Sequence, residues 1–147
     1  MKLKDLTTPW RFLFLIFFIT YGIASYWLFW PYVPMTIEDP IKILNDNKQV
    51  VPGGRLVYEM KIDKKLPLPA MISKQLINHY VITYSQIIGN VPLGKRTMKV
   101  SIRIPPYASG GKYKLKWEGV YKVNPIREVS VIEYSEEFTI LGKCVEE

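Results

Sequence analysis

At 147 residues, with almost half of them apolar and a net charge of +7, the chain is too hydrophobic for a disordered polymer and too short for two separate cores. One cysteine, Cys144, excludes an intrachain disulfide framework, and with His79 as the only histidine a zinc site within one chain lacks ligands. Of the 20 basic and 13 acidic residues, three and one precede Phe12; the other 17 and 12 leave an excess of five beyond it, which reads as a solvated surface with a moderate attraction for anions.

Residues 1–11 form a short basic tail carrying Lys2, Lys4 and Arg11 against Asp5. From Phe12 to Ile37 no residue is charged, and Phe12 to Ile19 are apolar on every helical face, which suits lipid on all sides. A helix over 12–33 would be roughly 33 Å long, enough to cross a hydrocarbon core of about 30 Å. Trp10, Arg11, Tyr26, Trp27, Trp30 and Tyr32 stand where interfacial anchors belong. The basic flank predicts a cytoplasmic N-terminus and an extracytoplasmic remainder at the inner or plasma membrane. Gly22-Ile23-Ala24 also fits a signal-peptide cleavage site, so a cleaved leader is the alternative to a retained anchor. The pair Gly22-x-x-Ser25 is too weak a small-residue motif to specify helix pairing.

Pro34 and Pro40 bound a stiff stalk over 34–40, and the outer domain is predicted over 41–147. Strands are expected at 41–44, 49–51 and 55–62, the last alternating Leu56, Tyr58, Met60 and Ile62 with polar neighbours. Loop 63–70 follows. Residues 71–78 and 79–88 are read as strands that run together through a bend, and 89–95 as a turn. Residues 97–104 carry the cleanest alternation in the chain. After loop 105–111, Tyr113, Leu115 and Trp117 alternate with Lys112, Lys114 and Lys116, with Gly119 marking a bulge. A turn at Asn124-Pro125 leads into one last strand over 127–141. About seven short strands with regular turn signals predict an all-β sandwich.

The string Ser109-x-Gly111-x-Tyr113 resembles the immunoglobulin-type tyrosine corner, with Leu115 where that family has its second disulfide cysteine. The resemblance implies an immunoglobulin-like sandwich without its inter-sheet bridge, in which the Tyr113 hydroxyl bonds back to nearby backbone. The layout as a whole is similar to small membrane-anchored, immunoglobulin-like proteins encoded by bacteriophages.

No catalytic set is legible. Cys144 lies far along the chain from His79, and Glu136 and Glu137, as neighbours in a strand, would face opposite sides. Gly53-Gly54 and Gly110-Gly111 lack the lysine and helix of a phosphate loop. Lys99 and Arg103 would join Lys112, Lys114 and Lys116 in one basic face if their strands form a hairpin; an immunoglobulin-like fold would divide them between two sheets. The expectation is a non-enzymatic single-pass membrane protein without cofactor, metal or nucleic-acid partner. It would present its outer domain for protein contact or for envelope or virion assembly. Loops 63–70, 89–95 and 105–111 are the candidate contacts, with Tyr107, Lys112, Lys114 and Lys116 foremost. Self-association is a further option. The alternatives are an envelope effector, encoded by phage or host, that alters entry, lysis or assembly, and a secreted β-sandwich protein.

Overall fold

A computed structural model describes residues 4–142, with side chains from Trp10 onward. One helix, α1 (Lys4–Phe29), precedes eleven strands: β1 (Met35–Ile37), β2 (Lys42–Ile43), β3 (Gln49–Val50), β4 (Arg55–Lys64), β5 (Ala70–Ile77), β6 (Val81–Thr83), β7 (Ile87–Gly89), β8 (Gly94–Arg103), β9 (Gly111–Asn124), β10 (Arg127–Tyr134) and β11 (Phe138–Ile140). The apolar stretch Trp10–Phe29 is long enough to cross a membrane, and none of it is buried in the protein. The expected span of 12–33 is shifted. The helix takes in most of the basic tail and stops at Phe29, because Pro31 disfavours helical geometry at Trp30.

The strands form two sheets. In the smaller, β4 pairs with β8 on one side and with β1 and β2 on the other, all antiparallel. In the larger, β9 lies between β5 and the pair β10 and β11; β6 and β7 flank β5, and β3 runs parallel to β11. Period-two alternation turns one apolar face of each sheet inward. Leu56, Tyr58, Met60, Ile62 and Ile102 from the smaller sheet meet Leu76, Tyr113, Leu115, Trp117, Tyr121 and Phe138 from the larger in one core.

Several expectations need correcting. The stalk is not free: Pro34 and Met35 are buried, and β1 pairs Met35 with Lys64, so the domain begins five residues beyond Trp30. Residues 71–88 do not run on through a bend. They fold back at Asn78-His79-Tyr80, where the Asn78 side chain accepts the His79 N–H at 2.7 Å, and Ile77 faces Val81. Gly119 is no bulge; it pairs in register with both Val131 and Ile72. The final strand is interrupted at Ser135. There the Ser135 hydroxyl accepts the Leu115 N–H at 2.9 Å, standing in for a ladder carbonyl. Cys144 lies outside the described residues.

Beside that interruption, Glu136 accepts the Ile43 N–H at 2.9 Å and pairs with Lys48 at 2.5 Å, tying β2 and the turn before β3 to the larger sheet. The Lys48 ammonium holds the Glu136 carboxyl below its usual range, with the Ile43 N–H contributing. A carboxyl depressed by folding stabilises above its unfolded pKa and loses that contribution as pH falls through the folded value. Unfolding titrations from pH 6 to pH 3 should therefore show a shallower acid limb for Glu136→Gln. The difference should be about 1 kcal/mol at pH 6, since the pair is partly solvated.

Candidate functional site

The two ends of the domain differ. Strand registers place loops 65–69, 90–93 and 125–126 at the end next to α1, and loops 51–54, 78–80 and 105–110 at the far end. The candidate contact loops therefore do not gather on one surface: 63–70 and 89–95 lie near the helix, and 105–111 lies opposite.

At the near end the domain grips the helix terminus. Arg127 donates to the Leu28 and Trp30 carbonyls at 2.9 and 2.8 Å, and Asn124 donates to the Trp27 carbonyl at 2.8 Å. A cation on the last free carbonyls complements the negative end of the helix dipole. Tyr26, Trp27 and Trp30 cluster at this terminus, Tyr26 and Trp30 with ring centroids 4.9 Å apart, and Tyr32 is half-buried just beyond. Trp10 and Arg11 are exposed at the opposite end of the apolar stretch. That separation corresponds to about 30 Å of helix.

At the far end, Tyr113 donates to the Ser109 carbonyl at 3.0 Å, and Tyr80 reaches both the Ser109 and Tyr113 hydroxyls. The Ser109 hydroxyl, bonded to the Tyr80 oxygen, lowers the Tyr80 pKa, whereas burial raises that of Tyr113. The crossing between the sheets is thus pinned by three hydroxyls. Tyr107 projects from the same loop and is 77% exposed.

Lys112, Lys114 and Lys116 line the outer face of β9, whereas Lys99 and Arg103 leave the smaller sheet. The basic residues are divided between two faces. Within the lysine column, Lys112 pairs with Glu137 at 3.1 Å and Lys116 with Glu118 at 2.9 Å; Lys114 has no ion-pair partner among the described residues. Glu136 and Glu137 answer different lysines. His79 sits in the exposed turn before β6. Among the described residues no three His, Cys, Asp or Glu side chains converge on a metal-sized point.

The lysines are only the centre of this face. Register puts Tyr134 beside Lys116 and Ile132 beside Glu118, and on the other flank Ile77 beside Lys114, followed by Val81. Met71 and Ile88 complete the row through Val120, and Ile88 is 83% exposed. Apolar side chains thus border a charged column on a broad exposed sheet. The sequence reading missed these residues because it treated each strand as having one dry face. The signal was present: Val129, Val131, Ile132 and Tyr134 put apolar groups on both faces of β10.

No protein-family model matches the chain, and no curated protein matches it.

Proposed function

We propose that this is a single-pass membrane protein with a cytoplasmic N-terminus, whose immunoglobulin-like outer domain binds a protein partner through the exposed face of the larger sheet and performs no chemistry. The observation that carries the reading is that face: Ile132, Tyr134, Met71, Val81 and Ile88 around a lysine column. Exposed aromatic and aliphatic side chains suit a protein contact, and with Lys112 and Lys116 already paired to Glu137 and Glu118 the column offers little free charge to a phosphate backbone. The immunoglobulin-like assignment is supported by the strand order. Its first strands pair antiparallel with β4, β3 then crosses to run parallel with β11, and β4 pairs β8 while β9 is flanked by β5 and β10. The bond from Tyr113 back to Ser109 supports it further, as that is what a tyrosine corner makes. Membrane attachment is supported by the bare apolar helix. Exposed Leu93 and Ile126 among Lys65, Lys95, Arg96 and Lys122 at the helix-side end also suit an interface with headgroups.

The test is site-specific photocrosslinking on intact cells, with the crosslinker at Ser130 or at Tyr107. Ser130 should capture a discrete protein and Tyr107 should not. Introducing Ile132→Asp and Ile88→Asp together should reduce that capture at least about tenfold, since desolvated apolar anchors dominate such contacts. Capture indifferent to both substitutions would overturn the assignment of the face.

A further inference from the structure

The inner face of the sheets contains two lysines. Lys64 continues the inward series Leu56, Tyr58, Met60, Ile62, and Lys74 occupies the inward position between Ile72 and Leu76, opposite Trp117. Both border a cavity of about 160 Å³ with Met60, Ile72, Met98 and Trp117. The cavity lies where the sheets have free edges. β8 pairs only with β4, and β7 only with β5, because residues 90–93 run directly from one to the other with no strand across the gap. Ile87, on its rim, is exposed.

The charges here are not neutralised. Lys64 is 2% exposed and donates only to neutral groups, the Leu68 carbonyl at 2.6 Å and the Asn90 side chain at 2.9 Å, with its ammonium 5.7 Å from the Tyr121 ring centre. Among the described residues no carboxylate borders the cavity. Burial lowers the pKa of both lysines. Tyr58, whose ring also lines the space, keeps a buried hydroxyl without a hydrogen-bond partner among the described residues. A buried cation without a counter-ion, a second one partly buried and an unpaired hydroxyl are each costly in an otherwise apolar wall.

We propose that the cavity binds an acyl chain bearing an anionic head, the chain lying against Met60, Met98 and Trp117 and the head at the lysines. The volume matches the ~150 Å³ of an apolar cavity that takes up benzene, so it holds about six carbons, and the remainder of the chain leaves between β7 and β8. The source is either a free fatty acid or an acidic lipid of the adjacent bilayer. The proposal does not depend on the protein-contact face.

Trp117 supplies the readout. Of the four tryptophans, Trp10, Trp27 and Trp30 are replaced by Phe, leaving Trp117 as the only indole in the full chain, reconstituted in phosphatidylcholine vesicles. Dibrominated stearate should quench Trp117 saturably, and its uncharged methyl ester should bind at least about tenfold more weakly, as a charged hydrogen bond is lost. Lys74→Gln, which removes one partly buried cation without changing the core, should weaken the acid about tenfold and leave the ester unchanged. Ala70→Phe, which fills the space, should abolish quenching; Lys74→Gln alone serves if that variant fails to fold. Quenching by vesicles of brominated phosphatidylglycerol, with no free acid, identifies the bilayer as the source, and quenching by free acid alone identifies the aqueous phase; both support the site. Absence of saturable quenching, or equal affinity for acid and ester, would overturn it.

Discussion

Replacing Phe17 and Phe18 by aspartate is expected to abolish membrane insertion. Each aspartate near the middle of a spanning helix costs about 2.5–3.5 kcal/mol, and each lost phenylalanine forfeits about 0.3–0.6 kcal/mol. The pair therefore opposes insertion by roughly 6–8 kcal/mol. The eleven Leu, Ile and Phe residues between Phe12 and Trp30 favour it by only about 3–7 kcal/mol. The wild-type chain should remain in the pellet after an alkaline carbonate wash, and the double variant should leave it. Phe17 and Phe18 are exposed and lie well short of Trp27 and Leu28, where the helix meets the β domain. The variant should therefore keep its sheet signature in circular dichroism, which separates lost insertion from lost folding. A wild-type chain recovered in the high-speed supernatant without detergent would remove the membrane reading.

The apolar helix and the alternating strands were legible because each is encoded locally. A run of unbroken apolar residues needs no partner to be recognised, and Met98, Val100 and Ile102 declare their face by spacing alone. What was lost depends on pairing across the chain. Residues 35–37 look like a linker between prolines until β4 is seen to offer them an edge. The fold-back at 78–80 could not be told from a bend, because Asn78-His79-Tyr80 lacks the glycine that usually marks a two-residue hairpin. Lys64 was hidden because the strand was ended at Ile62, whereas Lys74 stood inside the expected strand 71–78 with no face assigned to it. Carrying the β4 alternation one step beyond Ile62 puts Lys64 inside, and the spacing from Ile72 to Leu76 does the same for Lys74. In both positions a charged residue is part of the inner wall.

Gly119 was misread for a related reason, and it sets the second large effect. A glycine inside a strand signals either a bulge or a close neighbour, and here the register is unbroken. A Cβ at this position would stand 2.6 Å from Trp117 Cη2, 3.0 Å from its Cζ3 and 3.3 Å from Tyr121 Cε2. Gly119→Val should therefore cost about 3 kcal/mol in urea unfolding followed by circular dichroism, the upper part of the overpacking range. The cause can be isolated. In a Trp117→Phe background the two nearest atoms are gone, so the same substitution should cost less than about 1 kcal/mol, and the cycle should show strong coupling. Because Trp117 also borders the lysine-lined cavity, relief of the clash by an inward swing of the indole would fill that space. A valine that proved cheap in the wild-type background should then abolish quenching by the brominated acid, since the indole and the acyl chain would compete for one volume.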